Sequence, residues 1–136
     1  MLWPAILFLA FDLASARQEP NLDKRSDLAL KNADAALNAA RDAYAAADMP
    51  KAKEALDEAR QSVDLSYDSL NATGKNPRGA GSYKRAEMAL GQILRRLEGM
   101  RQLWSAVDRD VLDPAQSHVR EVHERVIQEI MGKKKR

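Results

Sequence analysis

A chain of 136 residues has room for one domain, and with no cysteine it can form no disulfide, no thiolate metal site and no lipid-modified cysteine. Its 22 basic and 20 acidic residues leave a net charge of +2. Lys133–Arg136 alone supply four positive charges, so the body of the chain lacks the overall basic balance of a nucleic-acid-binding domain.

The chain opens on an apolar run, Leu2–Phe11, that ends at the small-x-small triplet Ala14-Ser15-Ala16 before Arg17. A short apolar core followed by such a triplet is the pattern of a secretory signal peptide, and the run is half the roughly 20 residues a membrane span needs. The boundaries that follow are a leader at 1–16, a helical domain at 17–132 and a basic tail at 133–136. Two features depart from the pattern: no Lys or Arg precedes the run, and Asp12 stands just before the cleavage region. An N-terminal helix packed on the fold is the alternative, as is a start codon placed too late.

The spacing then predicts four helices, at 21–47, 50–72, 82–111 and 114–131. Leu30, Ala33, Leu37, Ala40, Tyr44 and Ala47 step by three and four residues, which keeps one stripe toward a partner helix. Asn21 is the expected N-cap. Pro50 suits the first turn of a new helix, and the short connection before it implies an antiparallel neighbour. The second stripe is Ala52, Leu56, Ala59, Val63, Tyr67 and Leu70. Residues 71–82 hold three Gly and a Pro and form the long connection, with Gly74 as C-cap and Ser82 as the next N-cap. The third stripe runs from Tyr83 through Leu90, Ile93, Leu97, Met100, Trp104 and Val107 to Val111. Asp113-Pro114-Ala115-Gln116 reads as a helix start, and Gly132 as the stop after Val119, Val122, Val126 and Ile130. No segment alternates with period two, so the fold class is all-α: two antiparallel hairpins in a bundle.

Chemistry is sparse in this pattern. His118 and His123 are five apart and point to different sides of their helix, with no carboxylate completing a metal triad. Met49, Met88, Met100 and Met131 are scattered, and no Cys-x-x-Cys-His haem attachment is present. The serines fall on caps and helix faces without a paired histidine. Asn71-Ala72-Thr73 matches a glycosylation acceptor, and is read as unmodified. The connector lacks the Lys-Ser/Thr pair of a phosphate loop. It nonetheless brings Lys75, Arg78, Lys84 and Arg85 to a helix N-terminus, a candidate anion site, with a plain flexible connector as the simpler reading. Because the third helix outruns the fourth, Trp104 is a candidate exposed or dimeric interaction surface.

Two resemblances rest on particular residues. Leu37–Ala59 resembles one tetratricopeptide hairpin, with Tyr44, Asp48, Ala52, Leu56 and Ala59 echoing that family's aromatic and small positions. Arg41 replaces an expected small residue, the Tyr44-to-Ala52 spacing is one residue short, and no second copy follows. The resemblance implies a helical hairpin and transfers no binding residue. Glu19–Asp34 and Ser62–Leu70 resemble segments of small exported all-helical bacterial proteins with no assigned activity, which implies an export route and a fold.

The expectation is a non-enzymatic, exported protein, periplasmic or secreted, needing no cofactor. It would act as a protein-interaction or structural module of the cell envelope. Its partner is an unknown protein or a second copy, with no specific nucleic acid and no transmembrane anchor once the leader is cut. Two alternatives stay open: a polyanion or membrane-surface binder working through the tail and connector, and a cofactor or metal carrier.

Overall fold

The computed structural model describes residues 13–132; the apolar run Leu2–Phe11 and the tail Lys133–Arg136 lie outside the described residues. In chain order the elements are α1 (Leu13–Arg17), α2 (Leu22–Ala45), α3 (Met49–Ala72), α4 (Gly81–Leu103), a 3-10 turn (Arg109–Val111) and α5 (Asp113–Met131). The expected all-α bundle is what they build. α2 packs on α3 and α4 on α5 as antiparallel pairs, while α2 also lies along α4 and α3 along α5. α3 and α4 touch little, so the connector between them crosses the end of the bundle on a diagonal. No described helix is long and apolar enough to cross a membrane.

The helix ends follow local chemistry. Asn21 caps α2, its side-chain oxygen accepting the Lys24 N–H at 3.0 Å, and Asp48 caps α3 through Lys51 at 3.1 Å. Gly74 and Gly132 take left-handed φ angles of +71° and +76° after α3 and α5, as the stop signals predicted. Ala47 takes φ +60° where no glycine is present. The three-four stripe assigns it to the core, but α2 ends at Ala45 because the Asp48 N–H turns back to the Ala43 carbonyl at 2.8 Å. Ser82 is not the cap of α4. Ala80 holds that position without a side-chain bond, and Ser82 is buried in the first turn. Asp113 likewise opens α5 from inside the helix and pairs with Arg101 rather than capping.

The third helix departs furthest from the predicted 82–111. Trp104 is extended, with ψ 152°, and ends α4. The next residues turn back through a 2.9 Å bond from Asp108 N–H to Ser105 O and through the 3-10 turn. Val107, placed on the core stripe, is 85% exposed as a result.

One core runs through the four long helices, centred on Leu37, Val63, Leu70, Leu90, Ile93, Leu97, Val119 and Val126. The α2–α3 seam is made of small residues, Ala29, Ala33, Ala36 and Ala40 against Ala52, Ala59, Ser62 and Ser66, all buried. Small side chains let the two backbones come close, and polar groups between them must then be bonded. Ser26 Oγ meets Ser66 Oγ at 2.7 Å; Asn32 Nδ2 donates to Ser62 Oγ at 2.9 Å and to Glu58 Oε2 at 2.8 Å.

α1 overlaps the stretch read as a cleavage region. Leu13 and Ala16 are 7% and 3% exposed, and the short helix packs on α2 and α3.

Candidate functional site

Each of the four cations expected to form an anion site is engaged by a carboxylate or by a helix end. Lys75 Nζ sits 2.5 Å from Asp23 Oδ2, Arg85 Nη2 is 3.3 Å from Asp27 Oδ2, and Lys84 Nζ is 3.7 Å from Glu87 Oε1. The Arg78 guanidinium lies over Gly132, in the space a β-carbon there would need, beside the negative end of the α5 dipole. The negative charge near the start of α4 is therefore the chain's own, Asp23, delivered from the first turn of α2. The Lys75 ammonium bonded to Asp23 holds its carboxyl below the usual range, against a smaller opposing effect of burial. The Ser82 hydroxyl adds to this from nearby, although Ser82 Oγ and Asp23 Oδ1 are both buried outside hydrogen-bond geometry.

At the same end of the bundle, Tyr67 donates to Glu129 Oε2 at 2.5 Å and Tyr83 to Asn71 Oδ1 at 3.1 Å. Burial pushes both phenols up, and at Tyr67 the Glu129 carboxylate pushes the same way. Asn71, the residue of the glycosylation triplet, is thus engaged in holding α4 to the end of α3.

The two histidines do point to different helices. His118 Nε2 meets Asp64 of α3 at 2.6 Å, and His123 Nε2 meets Glu87 of α4 at 3.2 Å. Both clip α5 to a neighbour. No group of three metal-ligating side chains occurs among the described residues.

Trp104 requires a correction. It is 3% exposed, with its ring stacked on Tyr44 at a centroid distance of 4.0 Å and an interplanar angle of 5°. The expectation of an exposed tryptophan assumed that α4 continued past it. The helix instead stops there, and the turn folds the ring onto α2. Tyr44 Oη fixes the arrangement, donating to Asp108 Oδ2 at 2.9 Å and accepting the Ser105 N–H at 3.0 Å. Arg109 Nε closes it on the Trp104 carbonyl at 3.3 Å.

Exposed apolar surface appears one residue before and three after Trp104. Leu103 is 84% and Val107 85% exposed, at the end of the bundle opposite the connector. Sequence reasoning missed this tip because a continued helix would have turned Val107 inward. The signal that could have found it is Ser105, whose hydroxyl bonds Asp108 at 2.9 Å within the turn instead of a helical carbonyl. Elsewhere the surface carries shallow grooves. One of about 480 Å³ runs along Ala35, Ala39 and Ala46 toward Asp48 and Lys51, and one of about 400 Å³ lies between Lys53, Arg60, Asp110 and Pro114. No protein-family model, curated protein or solved structure matches the chain.

Proposed function

We propose that this chain is an exported, non-enzymatic protein-interaction module whose contact point is the apolar tip at Leu103 and Val107. The observation that carries the reading is their exposure, 84% and 85%, at the last residue of α4 and in the turn after it, a junction held by the Tyr44–Trp104 stack. Anchored backbone under exposed apolar side chains is a pre-organised surface, which lowers the ordering cost of binding. The partner is a protein with an apolar recess; self-association is the variant in which the recess belongs to a second copy. The histidines and many of the carboxylates are engaged in ties between helices, which suits a scaffold. The interaction reading is preferred to the polyanion-binding one because three of the four connector cations have carboxylate partners.

The test is a photo-crosslinking amino acid at position 103 or 107 in the producing cell, with one at exposed Gln61 as control. A discrete adduct from 103 and 107 but not from 61 is expected, with mass identifying either a partner or a dimer. No adduct at either tip position, or equal labelling at all three, would sink the proposal. Export is tested separately, by the mass of the chain recovered outside the cytoplasm; a start at Arg17 is expected, and intact protein confined to the cytoplasm overturns it.

A further inference from the structure

The export reading and the position of α1 meet at one peptide bond, Ala16–Arg17. As a cleavage site it requires Ala14 and Ala16 to be presented to a protease, their small side chains entering its pockets. In the fold those residues belong to a helical turn, and Ala16 is 3% exposed against the bundle, with Leu13 beside it at 7%. The chain on the far side of the bond is held as well. The Gln18 and Glu19 N–H groups bond back to Ser15 O at 3.2 Å and Ala16 O at 3.1 Å. The Glu19 carbonyl accepts Arg25 Nε at 2.9 Å, and its carboxylate accepts the Asn21 N–H at 3.1 Å. A protease that needs extended chain must first unwind this turn and pull Leu13 and Ala16 off α2 and α3.

Resting on the export reading, we infer that α1 is a latch on processing. Once α1 docks, the Ala16–Arg17 bond is closed, and hydrolysis takes place only before docking or after α1 comes away. Water adds across the bond, leaving a carboxylate on Ala16 and an amine on Arg17. Order of events then decides which form exists. Cutting before folding gives a chain that starts at Arg17 and lacks the two apolar side chains that cover this end of α2 and α3. Folding before cutting gives an uncut chain. The two forms differ in stability in a stated direction: the cut chain melts lower, by roughly 5 °C for the loss of two such contacts.

The experiment uses purified, folded full chain and a bacterial signal peptidase, with mass spectrometry reading the loss of residues 1–16. A synthetic peptide of residues 1–24 serves as the unfolded reference. The peptide is expected to be cut after Ala16 and the native chain to resist, by roughly tenfold or more, as protection by a closed state requires. Leu13→Asp and Leu13→Ser, with helical content retained, should be cut at rates approaching that of the peptide. Hydrogen exchange on the wild type adds a readout that needs no variant: the Gln18 and Glu19 amides should be protected. Native chain cut as fast as the peptide, folded Leu13 variants as resistant as wild type, or unprotected amides would each overturn the latch and leave export standing. A peptide that is not cut removes the processing site, and with it both the latch and the leader reading.

Discussion

The two hairpins are built from opposite materials. Between α2 and α3 the seam is alanine and serine, with a buried asparagine, Asn32, bonded across it. The α4 and α5 side of the core is supplied by Leu90, Ile93, Leu97, Val119, Val122 and Val126. Within that seam little apolar area is available per residue, so contact between the two helices depends on close backbone approach and on satisfied polar groups, while Leu37, Val63 and Leu70 serve the core shared with the second hairpin. In the second, burial of branched and long side chains provides the driving force directly. Small seams fail when something is added, and large seams fail when something is removed.

The largest effect should come from the large seam. Leu97→Ala removes a 1% exposed side chain from the centre of α4 and is expected to cost about 2–5 kcal/mol in chemical denaturation. The opposite change in the small seam, Ala33→Leu at a fully buried position, should cost about 1–3 kcal/mol by overpacking. If Ala33→Leu is neutral or stabilising, the hairpins are not in contact as closely as the seam implies and the comparison breaks.

The polar part of the small seam is sharpened by a double-mutant cycle at Ser26 and Ser66, whose hydroxyls meet at 2.7 Å. Ser26→Ala alone leaves Ser66 buried beside an apolar group and should cost about 1 kcal/mol or more, while the double alanine variant should recover much of it. Additive losses would show that the two hydroxyls do not depend on each other. A smaller gain is available at the turn of the same hairpin. Ala47 sits at φ +60°, so Ala47→Gly should raise stability by about 0.5–1 kcal/mol, read as a shift in denaturation midpoint.

The smallest effect concerns the join between hairpins. Asp23 has a folded-state pKa below its ordinary value of 3.8, so its carboxylate stabilises the fold above that pH. The contribution fades as pH falls through the lower folded value. Lys75 is 55% exposed, so the pair is worth at most about 1 kcal/mol. Asp23→Asn should therefore match wild type at acid pH below both values and lag slightly at neutral pH. An equal deficit at both would mean that packing, not charge, is what Asp23 supplies.

The stripes through Leu37, Val63, Leu90, Leu97 and Val126 carried the core because a three-four step leaves a helix one face to bury. Asn21, Pro50, Gly74 and Gly132 gave their boundaries because each has a local conformational preference. The end of α4 was not legible. Trp104 and Val107 fit the stripe as well as Leu97 does, and what stops the helix is Tyr44, sixty residues earlier, which offers Trp104 a stacking partner and Asp108 a hydrogen bond. The pairing of the candidate anion-binding cations was hidden for the same kind of reason. Lys75, Arg85 and Lys84 were read beside their neighbours in sequence, while two of their partners, Asp23 and Asp27, come from a distant helix.

The diagonal crossing of the connector bears on the order in which the molecule forms. Bonds inside the first hairpin, such as Asn32 to Ser62, close short loops, whereas those tying the hairpins together, Tyr44 to Asp108, Arg96 to Asp34 and Tyr67 to Glu129, close loops about twice as long. Loop closure costs more entropy as the loop lengthens, and contacts near in sequence form sooner. α2 and α3 can thus zip together while α4 and α5 are still being placed. The step that commits the chain is docking, when two preformed pairs meet side by side and the leucines of α4 leave water. Until then each hairpin shows solvent an oily face that another copy could cover, so the interval before docking is when this protein is most exposed to aggregation.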